Sequence, residues 1–189
     1  MVKWSKYRYA YDWHKNEMIA CENVNVFGGL DISEFIAKND LKIDEQYFNA
    51  VLCRNGGVIE KNFLKEIEIT VNGKKQIIPS VFSVSRFLGF VDSAEENIAE
   101  LYYKKYPDKK LLPIAADTKD DVFFLDCNKS GSGGVYFELT DESVLYFDGS
   151  LNPSDDFFEP RLNKIADTFT DFLNLIQWDE DQKVQPNRT

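Results

Sequence analysis

The segment Leu111–Gly149 constrains the fold most, because it contains three or four short apolar runs separated by turn-forming residues. The runs are rich in β-branched and aromatic residues, a composition that is typical of strands. Their predicted centres are Ile114, Phe124, Tyr136 and Tyr146. Short strands that follow one another in this way predict an antiparallel meander.

One connection in this meander, SGSGG at Ser130–Gly134, is rich enough in glycine to resemble a phosphate-binding loop. A P-loop continues with Lys and Ser or Thr at the start of a helix, and a dinucleotide-binding loop has a third glycine there. Here a strand sequence, Val135–Phe137, follows instead, and acidic residues flank the loop. We therefore predict a hairpin connection that binds no nucleotide.

Helical spacing of apolar residues predicts a first helix in LDISEFIAKND, with Asp31 as its N-cap. A second helix is predicted to begin after Asp44 and to end at Asn55-Gly56-Gly57, because Asn and Gly accept the left-handed conformation found at helix ends. A third, SAEENIAELYYKKY, has Ser93 as its predicted N-cap. The predicted buried stripe of the second helix is Tyr47, Phe48, Val51 and Leu52.

Two further patterns complete the predicted fold. Asn72-Gly73 between alternating apolar and polar residues predicts a β-hairpin, and apolar residues at helical spacing predict one long helix from Pro160 to Trp178. The order of elements predicts a single α+β domain over residues 1–189, with a mostly antiparallel sheet and helices packed on one face. Residues 1–30 are predicted to form an aromatic arm, and residues 179–189 a polar tail.

The sequence offers little for catalysis, metal binding or a cofactor. The three cysteines, Cys21, Cys53 and Cys127, are far apart and odd in number, which predicts reduced thiols rather than a disulfide framework. Cys53 and Cys127 have apolar neighbours and are predicted to be buried. His14 is the only histidine, and no metal-ligand spacing includes it. We predict no catalytic residue, no metal and no cofactor, although a Cys–His pair is compatible with the sequence.

The net charge of −10 is distributed unevenly along the chain. Residues 1–112 contain 16 acidic and 16 basic side chains, whereas residues 113–189 contain 16 acidic and 6 basic ones. This excess has two open interpretations: a solvated face that aids solubility, or a surface that repels nucleic acid and membranes and attracts basic partners. Charges scattered through the first residues and the lack of any long apolar run predict a cytoplasmic protein without a membrane anchor.

The order of several short motifs resembles the SUKH superfamily, which is named for a syntrophin-like group and a fungal cell-wall-synthesis regulator. The resemblance covers Ser33 to Trp178. Two family features are replaced: Asp120-Asp121 stands where Gly-Asn is common, and Leu139–Glu142 stands where His-Glu is usual. The matching motifs, in order, are NGG, SVFSVSRF, EENIAELYYKKYP, LLPIAADTKDDVFFLD, VYFE and IADTFTDFLNLI.

The resemblance implies a non-enzymatic, protein-binding fold. In bacteria such proteins are similar to immunity proteins that neutralise a secreted toxin, often a nuclease, and in fungi they resemble regulatory scaffolds of cell-wall synthesis. Because a nuclease must be basic around its nucleic-acid groove, an acidic inhibitor would suit it. We therefore expect a basic cognate toxin as the partner, with a regulatory scaffold as the alternative. The expected partner-binding residues are Asp117, Asp120, Asp121, Asp126, Glu138, Asp141, Glu142, Asp148, Asp155 and Asp156.

Overall fold

The computed structural model describes residues 1–12, 17–22, 32–71, 74–78, 83–91, 97–118, 120–128, 133–139 and 161–178. Within these ranges the chain forms four α-helices and twelve strands. The helices are α1 (Ile32–Lys38), α2 (Glu45–Ala50), α3 (Ile98–Lys104) and α4 (Phe169–Leu175), and short 3-10 turns lie at Leu52–Arg54 and Pro107–Lys109. The strands are β1 (Tyr7–Asp12), β2 (Glu17–Glu22), β3 (Gly57–Val58), β4 (Asn62–Leu64), β5 (Ile67–Val71), β6 (Lys74–Ile78), β7 (Val84–Phe87), β8 (Leu111–Asp117), β9 (Val122–Asp126), β10 (Val135–Leu139), β11 (Arg161–Ala166) and β12 (Ile176–Trp178).

The main sheet has six strands in the order β11-β10-β9-β8-β7-β3, and every neighbouring pair is antiparallel. This confirms the α+β class and the meander through β8, β9 and β10. Three further antiparallel pairs, β1 with β2, β4 with β12 and β5 with β6, lie outside the main sheet. Val71 pairs with Lys74, as a two-residue hairpin at Asn72-Gly73 requires, although those two residues lie outside the described ranges.

Aromatic contacts show that both faces of the central strands are covered. Adjacent residues on a strand point to opposite faces. Phe123 packs on Phe172 of α4 with ring centroids 5.4 Å apart, whereas Phe124 packs on Tyr106, just after α3, at 5.3 Å. All seven residues of β8 are buried, in agreement with cover on both sides. The helical segments therefore lie over two faces, while the sequence suggested one.

The predicted long helix from Pro160 to Trp178 is wrong in its first half and at its end, where Ile176–Trp178 forms β12 and pairs with β4. Arg161–Ala166 instead forms β11, whose backbone pairs with β10 at the edge of the sheet. Thr168 then caps α4, because its side chain accepts a hydrogen bond from the Asp171 backbone N–H at 3.0 Å. The apolar spacing is correct within α4, where Phe169 and Phe172 are fully buried. Short apolar segments fit a helix or a strand equally well, so spacing alone could not divide this region.

The second and third helices differ from the prediction only in detail. Asp44 caps α2 as predicted, and its carboxylate accepts the Tyr47 N–H at 3.0 Å. Phe48, expected in the buried stripe, is 44 % exposed. α3 begins after Asn97, whose side chain accepts the N–H groups of Ala99 and Glu100. Ser93, the predicted cap, and Asp31, predicted for the first helix, lie outside the described residues.

The Asn55-Gly56-Gly57 motif ends the second helical segment and also binds the segment that follows β7. Asn55 adopts a left-handed conformation with φ 61°, as predicted. Its fully buried side chain accepts the Phe90 N–H at 2.7 Å and donates to the Phe90 carbonyl at 3.2 Å. At Gly56, with φ 74°, a Cβ atom would overlap the backbone of Leu88. The motif therefore has a structural explanation that requires no ligand.

Candidate functional site

A row of four side chains crosses the main sheet on the face covered by α3. Arg86 pairs with Ala116, and Ala116 pairs with Val122. The register of Phe123 with Phe137 places Val122 level with Glu138 on the next strand. The row therefore has a cation at one end, a carboxylate at the other and two small apolar side chains between them.

At the β7 end of the row, Arg86 is paired with Asp120 from the β8–β9 connection. Arg86 Nη2 lies 2.6 Å from Asp120 Oδ1. The Arg86 side chain is only 20 % exposed, whereas that of Asp120 is 75 % exposed. Asp120 adopts a left-handed backbone conformation with φ 66°, which Asp and Asn tolerate better than most residues. A carboxylate is thus presented to solvent above a largely buried guanidinium.

At the β10 end, the buried Glu138 carboxylate is held by two donors from the end of α3 and the residues after it. Lys105 Nζ lies 2.8 Å from one oxygen, and the Tyr106 hydroxyl donates to the other at 2.9 Å. Burial first, and then the hydrogen bond and charge of Glu138, raise the pKa of Tyr106, so the phenol remains a neutral donor. Lys105 is 31 % exposed, so the ion pair links the interior to the surface.

Between the two ion pairs lies a groove of about 800 Å³. Leu88, Ala116 and Val122 line it, and all three are buried. The α3 wall contributes Glu100, Leu101, Tyr103, Lys104 and Lys105. The groove therefore combines apolar side chains with charges of both signs.

Tyr103 is the aromatic residue among those that line this wall, and it is 49 % exposed. Its hydroxyl accepts a hydrogen bond from Asn39 Nδ2 at 3.1 Å, and its ring packs edge-on against Phe35 of α1. The ring is therefore held in place while part of its surface faces solvent. Exposed aromatic side chains on a rigid wall are frequent anchors of protein interfaces.

The ten acidic residues expected to bind a partner differ in whether the structure describes them and in how exposed they are. Five of them lie outside the described residues: Asp141, Glu142, Asp148, Asp155 and Asp156. Among the other five, Asp117, Asp121 and Glu138 are buried, and Asp126 is half-buried. Asp120 alone of these five is exposed.

Asp117 and Asp121 shape the connection between β8 and β9. The Asp117 carboxylate accepts the Asp121 N–H at 3.0 Å, and the Asp117 N–H donates to the Asp121 carbonyl at 3.0 Å. Asp126 also binds nearby backbone, since its Oδ1 accepts a hydrogen bond from the Asn128 N–H at 2.9 Å. The Asp117 and Asp126 carboxylates bind the backbone of their own turns. The two bonds between Asp117 and Asp121 place Asp120 at the tip of the connection.

The cysteine predictions have different outcomes. Cys127 is buried as expected, and burial, assisted by the nearby Asp126 charge, raises the pKa of its thiol from 9.0 to about 12. Cys53, also expected to be buried, is exposed, and its thiol donates to the Asn49 carbonyl. Across the residues that the structure describes, no group of three or more His, Cys, Asp or Glu side chains could hold a metal ion. His14 lies outside them.

Sequence reasoning missed the basic half of the groove. Arg86, Lys104 and Lys105 line it, whereas the uneven net charge points only to acidic residues after position 112. A weak signal exists in hindsight, because Lys104 and Lys105 directly follow the apolar stripe of α3. Tyr136, a predicted strand centre, is half-buried on β10, and Tyr146 lies outside the described residues.

Comparison with protein-family models gives a match to the SMI1 / KNR4 family (SUKH-1) over residues 30–175. The match includes the Asn55 motif, the groove and α4. The chain belongs to the SUKH-1 family. This confirms the resemblance seen in the sequence. SUKH-1 proteins are generally non-enzymatic binding proteins, and the family includes regulators as well as proteins compatible with an immunity role.

Neither the curated protein sequences nor the solved structures gave a significant match to this SUKH-1 chain. Within the described ranges, its helices are too short or too polar to cross a bilayer. Its architecture and family together support interaction with another protein as its general mode of action.

Proposed function

We propose that this SUKH-1 chain is a cytoplasmic immunity protein, which binds a cognate toxin directly and neutralises it without catalysing a reaction. The observation that carries the proposal is the charge distribution: the net charge of −10 comes wholly from residues 113–189. A toxin that acts on nucleic acid must be basic around its substrate groove. An acidic inhibitor gains association rate and specificity from that complementarity.

The burial of the acidic residues narrows the proposed contacts. Three of the acidic residues are bound within the fold: Asp117, Asp121 and Glu138. We therefore assign them a structural role and not direct contact with the toxin. Asp120 is the leading contact among the described residues, with Asp126 beside the glycine-rich connection as a second. Asp141, Glu142, Asp148, Asp155 and Asp156 remain proposed contacts on the basis of their charge.

The test uses the product of the gene adjacent to that of this chain. Co-expression of the two proteins is expected to rescue cells that the neighbouring product alone would kill. The purified proteins are expected to form a stoichiometric complex whose association rate falls as salt rises, because exposed charges are screened over about 8 Å at physiological ionic strength.

Three outcomes separate the alternatives. Rescue with a salt-dependent association rate supports both the immunity role and the acidic surface. Rescue with a salt-independent rate retains the immunity role and rejects the electrostatic explanation. Lack of both complex and rescue makes a regulatory scaffold, the other function known in the family, the leading interpretation.

A further inference from the structure

We infer that the groove between α3 and the β8–β9 connection receives an extended segment of the partner protein, in which an acidic and a basic side chain flank an apolar one. This inference rests on the proposed function, because it takes the toxin of that proposal as the partner protein. It differs from the acidic-surface idea, because the groove carries charges of both signs, although Asp120 belongs to both.

The dimensions of the groove suit an extended segment. Arg86 and Glu138 lie three strands apart in the sheet, a separation of about 14 Å at the usual strand spacing. Four residues of extended chain span a similar distance, about 13 Å. The buried Ala116 and Val122 lie between these ends, and the buried Leu88 lines the groove beside Arg86, so an apolar side chain near the middle of the segment would meet an apolar surface.

The charges along the groove specify what flanks that apolar side chain. Asp120 is bound by Arg86 through Oδ1 and is largely exposed, so it is accessible to a second cation. On the α3 wall, Lys104 is exposed and has no ion pair to another described residue. A segment with a basic side chain toward Asp120 and an acidic one toward Lys104 would complement both.

The same charges disfavour a nucleic acid strand as the occupant. Glu100 and Asp120 line the groove together with the basic residues, and the buried Glu138 lies beneath Lys105. A phosphate backbone carries only negative charge and would meet repulsion from these carboxylates. A protein segment can place opposite charges a few residues apart.

A photo-crosslinking experiment tests this placement directly. A photoreactive phenylalanine analogue is introduced at Tyr103, and in a matched variant at Phe48, because both side chains are aromatic and exposed to a similar degree. Phe48 lies on α2, which packs on α4 through Tyr47 and Phe169 and so belongs to the opposite face. The probe is the purified product of the adjacent gene.

Crosslinking is expected from position 103 and not from position 48. Mass spectrometry of the crosslinked peptide should show an acidic residue on one side of an apolar residue and a basic residue on the other.

The affinity for the probe should also weaken about fivefold for Asp120→Asn and for Lys104→Glu, since a rim charge contributes on the order of 1 kcal/mol. Asn at position 120 keeps a residue that tolerates the left-handed backbone. Glu45→Gln and Lys42→Glu, both exposed near the start of α2, should leave affinity unchanged.

The outcomes distinguish failure of the groove as the binding site from failure of the proposed immunity function. A complex that forms but crosslinks only from position 48, or that is indifferent to both Asp120→Asn and Lys104→Glu, overturns the groove and leaves the immunity role standing. A crosslinked peptide without the predicted charges also overturns it. If wild-type protein forms no complex with the probe, the proposed function fails, and the inference fails with it.

Discussion

Tyr106 donates a hydrogen bond of 2.9 Å to Glu138, a residue 32 positions away in the chain. Lys105, its neighbour, binds the other oxygen of the same carboxylate at 2.8 Å. These two contacts join the end of α3 to β10, across β8 and β9. They allow the Glu138 carboxylate to be buried within the sheet, because both of its oxygens have partners.

The pair Lys104 and Lys105 provides a direct test of this arrangement. Lys105→Ala would leave Glu138 buried with the Tyr106 hydrogen bond alone, and we expect a loss of about 2–4 kcal/mol in the free energy of unfolding. Lys104→Ala removes an exposed cation and should change that free energy by less than about 0.5 kcal/mol. Urea denaturation of both variants measures the difference. Equal losses would show that the Glu138 pair does not stabilise the fold.

The stability of the protein should depend on the large side chains of the buried face of α4. Phe169 is fully buried and contacts Tyr47, Phe87 and Phe172. Phe169→Ala is expected to cost about 3–5 kcal/mol, as large cavities in cores do. Leu173 is only partly buried, so Leu173→Ala should cost clearly less, and the exposed Thr170 should tolerate alanine within about 0.5 kcal/mol. Thermal or urea denaturation ranks the three, and a different order would contradict the described orientation of α4.

Asn55 is expected to stabilise the protein through both its side chain and its backbone. Asn55→Gly removes the two buried hydrogen bonds to Phe90 but retains a residue that accepts φ 61°. Asn55→Ala removes the same bonds and adds the strain of a left-handed alanine, about 1 kcal/mol. We expect both variants to lose at least about 2 kcal/mol, with alanine the worse. If alanine and glycine give equal stability, the backbone conformation contributes nothing.

The buried thiol of Cys127 predicts a loss of stability in alkali. Its pKa is about 12 in the folded protein and 9.0 without burial, so above pH 9 the unfolded thiol loses its proton while the folded one keeps it. The folded state then binds more protons, and stability falls with rising pH by up to about 1.4 kcal/mol per unit. Cys127→Ala should show a shallower fall than wild type between pH 9 and 11, measured by urea denaturation at each pH. An identical slope would show that Cys127 is not buried as described.

Much of the local structure follows from the sequence because it depends on neighbouring residues. Asp44 caps α2 since its carboxylate reaches an N–H three positions on, and Asn55-Gly56 ends the segment since those residues accept a positive φ. The strands of the meander are recognisable from their own β-branched and aromatic residues. The charge imbalance and the order of family motifs are likewise properties of the sequence.

The tertiary structure decided what depends on distant partners. Arg161–Ala166 is a strand because β10 offers a ladder of backbone hydrogen bonds, although its apolar spacing also fits a helix. Asp117 and Glu138 are as acidic in the sequence as Asp120, yet they are buried because the Asp121 N–H, Lys105 and Tyr106 bind their carboxylates. A charged side chain can leave water only where folding supplies its hydrogen-bond partners. Residue type therefore identified the acidic candidates, and long-range packing determined which of them a partner can reach.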